Sequence, residues 1–521
     1  MPDRLPLACV AALMLGCGLS LRAEDPPTTA PDPTPVQEAA VRRISARRLK
    51  EAVDFLAAPE RGGRIPGSPG HREARDWIEV RMREIGLEPL GKDGGFLYPY
   101  PSGPATDRFQ RNADGSISVN ANDTGCNVIG LLRGTDPERA GEYIVYVAHY
   151  DHLGVTEKGV PFAGAFDDAS GVAAGLEIAR ALKEGGGAPR RSIVFLISDE
   201  EEHGLLGAGA WLREPTVPRD KIVLGLSADP LGRRIVPDYG PIVVSGLERS
   251  PELLEFWRRT TGYAESEVVF IHRNVIPRFS SDHDEFHKVG IPALWLVNPG
   301  FTNYHKTGDL PETIDHRTLA DTARYAARSM ILAGNTDRRF EYKGVPPIGA
   351  NTGRDARVLL EGVRKSKEIS EAERHTVEQQ IALLDQAIAA DSLAPIPNPK
   401  KFFAQAMFFI FQLSYVHPGP TPPPFPAPDL AGKWTAEDGR TLELLPDGSA
   451  AWTAPATTGA AANPGEGRWR LDAAGPPYRI EFTNFGGNGP QVALAEFPDD
   501  DTMQLKLDGA EGGVVPYHRA R

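Results

Sequence analysis

The sequence predicts an α/β protein with a central, largely parallel sheet between helices, joined to a helical segment and a small C-terminal antiparallel β-domain. Three observations carry this. From about residue 38 to 335, short apolar runs alternate with stretches of helical periodicity, the pattern of a layered α/β domain. From 352 to 416, Val358, Leu359, Val363, Val377, Ile381, Leu384 and Ile388 recur at three- and four-residue steps, followed by the apolar run Phe402 to Leu413, which predicts helices. Beyond residue 430, strand-length runs such as KWTA and GRWRLD are punctuated by Asp-Gly turn signals, which predicts short antiparallel strands.

At 521 residues the chain exceeds one domain, and 41% hydrophobic with 24% charged residues is globular rather than disordered. The 57 basic and 70 acidic residues leave a net charge of −13, which repels phosphate backbones and argues against nucleic acid as a partner.

The chain opens with Arg4 and an apolar run to Leu21 that reads as a signal peptide over residues 1–23, implying a secreted or periplasmic protein. A second reading makes Cys17 the lipidated first residue of a lipoprotein. No later stretch is long and apolar enough to span a bilayer. Residues 24–37, rich in Pro, Thr and acids, read as a flexible linker. The main domain spans 38–340, the helical segment 350–416, a Pro-rich linker 417–430 and the β-domain 431–521, for which no role is legible. Cys9 and Cys17 fall in the signal, leaving Cys126 with no intrachain partner and no cysteine-based metal site; it reads as a small core residue.

Within the main domain, chemistry follows the apolar runs. Tyr143 to Ala148 is strand-like and leads into HYDH, carrying His149 and Asp151. GAFDDASG places Asp167 and Asp168 at the start of a helix whose apolar face is Val172, Leu176, Ala179 and Leu182. Ile193 to Ile197 leads into DEEEHGLLGA, Ile222 to Leu226 into SADPLG with Asp229, and Ala293 to Val297 into NPGFTNYHKTGD with Tyr304 and His305. Ligand sites of open α/β sheets lie outside the carboxyl ends of the strands, so these groups are expected to converge on one crevice. Imidazoles and carboxylates without thiolate suit zinc or a similar divalent ion. The carboxylates outnumber what one tetrahedral ion takes, which points to two metals with a bridging carboxylate and a general base among the remainder.

The ordered set HYDHLG, DDASG, EEHGLLGA, AD followed by Gly232, and YHKTGD resembles the secreted bacterial zinc aminopeptidases, metallopeptidase family twenty-eight. RIPGSPGHREARDWI, NVIGLLRGT and SDHDEFHKVGIPAL extend the resemblance over roughly 38 to 335. The resemblance implies two Zn2+, one held by His149, Asp167 and Asp229, the other by Glu202, His305 and the shared Asp167. It further implies Glu201 as general base, Asp151 as the group orienting His149, and Tyr304 as a hydroxyl facing the oxyanion. The function implied is removal of N-terminal residues from peptides. A glutaminyl cyclase, which shares the fold but uses one zinc, and an inactive binding ectodomain are the alternatives.

Two residues depart from the family pattern. Asp168 stands where Asn is usual, and we expect it to cap the following helix rather than compete for the bridge. Pro230 replaces an apolar residue. Glu200 would shift every role in DEEEHG by one, but HGLLGA sets the register on Glu201 and Glu202. Asp282 and His283 are expected to line the pocket, whereas His152, His203, His272 and His287 read as ordinary polar residues. The identity of the first residue removed and the oligomeric state are not legible.

Overall fold

The computed structural model describes residues 32–102, 109–111, 117–119, 124–275, 280–417, 432–437, 440–444, 449–453, 465–472, 478–482, 491–499, 502–507 and 515–519. The signal peptide, Cys17 and nearly all of the Pro-rich linker lie outside them.

A nine-stranded mixed sheet forms the centre of the main domain. Its middle is four parallel strands in the order Ser192–Ser198, Tyr143–His149, Ile222–Ala228 and Ala293–Val297. Thr124–Leu132 flanks one side antiparallel, with Glu88–Pro89 and Leu97–Pro101 beyond it. On the other side Ile242–Ser245 runs antiparallel to Ala293–Val297 and parallel to Val268–Ile271.

The four central strands are buried along nearly their whole length, which is why they read as unbroken apolar runs rather than alternating ones. Ile144, Tyr146 and Ala148 pack with the helices Ala46–Leu56, Ser170–Glu184 and His316–Asn335. Val145 and Val147 point to the opposite face, where Trp211 of Leu206–Arg213 and Phe286 of His283–Lys288 cover them.

The first helix, Pro35–Arg42, begins inside the stretch read as linker. Thr34 and Gln37 form a reciprocal capping box, Gln37 N to Thr34 Oγ1 at 3.2 Å and Thr34 N to Gln37 Oε1 at 2.9 Å. Three residues are too few to show periodicity, so the order there comes from the cap and from burial of Gln37 against the Ala188 carbonyl.

Three helices, Ala350–Lys365, Glu371–Ala389 and Pro399–Val416, occupy the segment of helical periodicity. They extend the main core through Leu359, Leu384, Phe403, Met407, Ile410 and Leu413. The C-terminal strands, Gly432–Ala436 to Val515–Arg519, close an antiparallel barrel with Trp434, Leu442, Ile480 and Met503 buried.

Candidate metal centre

All four parallel strands deliver functional groups at their carboxyl ends. Tyr143–His149 ends on His149, Ser192–Ser198 precedes Glu201 and Glu202, Ile222–Ala228 precedes Asp229, and Ala293–Val297 precedes the turn carrying Tyr304 and His305. Because these strands are neighbours, their loops meet with Asp167, which sits at the entrance to helix Ser170–Glu184.

His149 Nδ1 donates to the Asp151 carbonyl at 3.2 Å; since a carbonyl only accepts, the ring's proton sits on Nδ1 and the Nε2 lone pair faces inward. Nε2 lies 3.2 Å from Asp167 Oδ1, 3.6 Å from Asp229 Oδ1 and 3.9 Å from Glu201 Oε2. On the other side His305 Nε2 is 3.0 Å from Asp167 Oδ2 and 3.1 Å from Glu202 Oε2. Asp167 thus turns one oxygen to each imidazole. His305 is held at φ 54°, in the left-handed region.

Buried polar groups brace these side chains. Asp309 accepts the backbone N–H of Phe166 at 2.9 Å and of Asp167 at 3.2 Å, and takes Arg233 Nη2 at 2.7 Å. Ser281 donates to Asp229 Oδ2 at 2.6 Å. Arg64, wholly buried, donates to the carbonyls of Leu56, Tyr150, Ala163 and Gly164, pinning both ends of the loop after His149. Asp199 accepts Cys126 N at 2.8 Å and lies 2.8 Å from His71 Nε2, which steadies the turn carrying Glu201. These contacts give RIPGSPGH and the strand at Asn127 their roles.

Asp151 acts through different atoms from those expected. Its backbone oxygen, not its carboxylate, takes the closest contact with His149; Oδ1 stands 3.5 Å from Nδ1. The carboxylate accepts Glu201 N at 3.0 Å and Glu202 N at 3.3 Å, holding the two acids in place.

Asp168 accepts Gly171 N at 3.0 Å through Oδ1 and His149 N at 3.2 Å through Oδ2, a helix-capping contact joined to the strand end. Gly171 is required here, because a Cβ would lie 2.1 Å from the Ala228 carbonyl. Asp282 donates nothing to the centre but accepts the Ser198 hydroxyl behind it, whereas His283 turns away from the centre.

Sequence alone marks His152 as an ordinary polar residue, yet its Nδ1 is 2.7 Å from Glu202 Oε1 and its ring is fully buried. The signal available was its place three residues after His149. Cys126 is buried, and burial pushes its thiol up to about 11, in keeping with an inert core residue.

Burial, reinforced by Asp229, Glu202 and Asp282, raises the Glu201 carboxyl well above the ordinary range, with His149 opposing. Burial, with Asp167, Glu202, Asp229 and Glu201 adding to it, raises the Tyr304 phenol well above its usual value, so it stays protonated. Tyr304 stacks on His305 with centroids 4.0 Å apart.

The donor set fits divalent metal. Asp167 Oδ2 is buried without a hydrogen bond. Around it stand Glu201, Glu202 and Asp229, carboxylates that repel one another and that a cation would compensate, with the imidazoles of His149, His152 and His305 as further donors.

Residues 127–330 match Peptidase family M28. The chain is 26% identical over 336 residues to a "Probable zinc metalloprotease" of Leptosphaeria maculans, covering 55% of this chain and 74% of that protein. Among solved structures, LapB of Legionella pneumophila aligns at 18% identity and a TM-score of 0.44, covering 59% of this chain and 79% of that one. A glutaminyl cyclase of Porphyromonas gingivalis aligns at 22% identity and a TM-score of 0.42, covering 55% and 97%.

Proposed function

We propose, from the match of residues 127–330 to Peptidase family M28, that the chain is an extracytoplasmic metal-dependent exopeptidase that removes residues from peptide N-termini with two zinc ions. The observation that carries the two-ion reading is the position of Asp167, whose Oδ1 and Oδ2 stand 3.2 and 3.0 Å from the imidazoles of His149 and His305. His149, Asp167 and Asp229 would hold one ion, and Asp167, Glu202 and His305 the other. When bound, the pair supplies Lewis-acid polarisation of the scissile carbonyl and lowers the pKa of the attacking water.

Glu201, its carboxyl raised by burial, takes the proton from that water and returns it to the leaving amine. A carboxyl raised above its ordinary range gives up a proton less readily, which favours its return to the leaving amine. Asp151 keeps Glu201 and Glu202 in register through their backbone N–H groups, so base and ligand roles stay with separate carboxylates. Tyr304, protonated, would donate to the oxyanion developing on the carbonyl.

The test is product analysis by mass spectrometry after the zinc-loaded protein meets free-amine, N-acetylated and N-terminal Gln peptides, with a chelated control. Stepwise shortening of only the free-amine peptides, lost on chelation, is the expected result. Loss of ammonia from the Gln peptide without shortening would replace the reading with a cyclase, and no change despite bound metal would leave a binding role.

A further inference from the structure

Helix His283–Lys288 carries a second cluster of ligating groups, away from the centre just described. His283 and His287 are one turn apart and share a face. Their ring centroids are 5.6 Å apart, and His283 stacks on Trp295 at 5.7 Å. His283 has no solvent exposure, and neither of its ring nitrogens has a hydrogen-bond partner. A buried imidazole with two unsatisfied nitrogens is costly unless something compensates it.

The neighbours are arranged for one ligand. His287 Nε2 donates to the Ala293 carbonyl at 3.0 Å, which places the ring proton there and leaves Nδ1 as a free lone pair. Asp284 Oδ2 is held from outside by Arg273 Nη2 at 2.8 Å and Ser280 Oγ at 2.7 Å. Its Oδ1 then faces His283 Nε2 at 3.5 Å and His287 Nδ1 at 3.8 Å, with Arg249 Nη1 at 3.9 Å. The three ligand atoms lie within 4.8 Å of one another. Burial, the largest cause, also holds His283 well below its usual pKa, so it is neutral as a metal ligand must be. The rings close on Gly246, where a Cβ would lie 3.0 Å from His287 Cε1 and 3.3 Å from His283 Cδ2.

We propose that His283, His287 and Asp284 form a separate site for a divalent cation of the zinc, cobalt or nickel type, two imidazoles and one carboxylate being the donors such ions prefer. Oxygen-seeking Mg2+ and Ca2+ are disfavoured by the same donors. The ion's role is structural: Ser281 and Asp282, immediately before this helix, hold Asp229 and Ser198, so anchoring the helix anchors one wall of the main centre.

The test is metal content by mass spectrometry of the full chain, equilibrated with Zn2+ and freed of excess by gel filtration, for the wild type, His287→Asn and Asp284→Asn. Each variant is expected to hold about one equivalent less than the wild type while the near-ultraviolet dichroism is unchanged. Asp284→Asn keeps the side-chain shape and serves if His287→Asn does not fold. A second measurement isolates the site. Co2+ added to a His149→Ala/His305→Ala chain should give visible absorption that disappears when His287→Asn is included. Equal zinc content in wild type and folded variants, or no cobalt absorption that depends on His287, overturns the proposal.

Discussion

Glu201 and His305 differ in what their loss should do. Glu201→Gln removes a proton carrier but no charge-bearing ligand of the proposed pair, so turnover should fall by about 10^2 to 10^4 while zinc content holds. His305→Ala removes an imidazole placed 3.0 Å from Asp167 Oδ2 and 3.1 Å from Glu202 Oε2, so metal content should fall along with turnover. Elemental analysis beside a peptide-cleavage assay checks both; equal metal loss in the two variants would mean that base and ligand are wrongly divided. The residue types and their order were legible in HYDH, DDASG and EEHG. The atoms they use were not: that Asp151 holds two backbone N–H groups, or that His152 meets Glu202, depends on contacts across about 50 positions in the chain.

Among elements, the helix Pro399–Val416 is the one whose effect on the centre sequence could least foresee. Phe411 meets Phe301 edge-on at 4.7 Å, Phe301 meets Tyr304 at 5.4 Å, and the Thr302 hydroxyl donates to the Ser414 carbonyl. Lys306 lies 4.5 Å over the ring of Tyr415. The turn holding His305 is therefore clamped on both sides by a helix more than 100 residues downstream. Phe411→Ala should loosen this turn and weaken zinc binding by roughly 10-fold, the lower end for groups that support a ligand without touching the metal. A competitive zinc titration would show it, and an unchanged affinity would assign the helix a role in stability alone. The apolar run itself was legible; its face toward the centre was not, because periodicity marks a buried stripe without naming what it meets.

For the molecule as a whole, buried histidines make stability depend on pH. His316 has an unpartnered Nδ1, and burial, with Lys50 adding to it, lowers the pKa from 6.5 to about 4; burial likewise takes His272 to about 4. Each binds its proton mainly after unfolding, so stability is full above about pH 6.5 and declines as pH falls toward 4. Urea midpoints measured from pH 7 to pH 5 should fall for the wild type and fall less for His316→Gln. Identical slopes would show that His316 binds its proton alike in the folded and unfolded states. Helices occupy the segment of helical periodicity, and antiparallel strands the segment punctuated by Asp-Gly turns. The helix at Pro35–Arg42 follows no such signal, since a reciprocal cap and not periodicity orders its start.

The sequence by itself determined where the buried strand-like runs lie, and that carboxylates and imidazoles follow their carboxyl ends. Strands covered on both faces must be apolar throughout, so the first polar residue after each run marks where the strand leaves the core. Only the tertiary structure decided that Asp167 faces two imidazoles, that Asp309 and Arg233 support it, and that His283 and His287 turn toward Asp284 instead of the main centre. Spacing along a chain specifies neighbours within one element, as for His283, Asp284 and His287 on one helix, whereas the partners of Asp167, and the direction in which that helix faces, are set when different elements pack together.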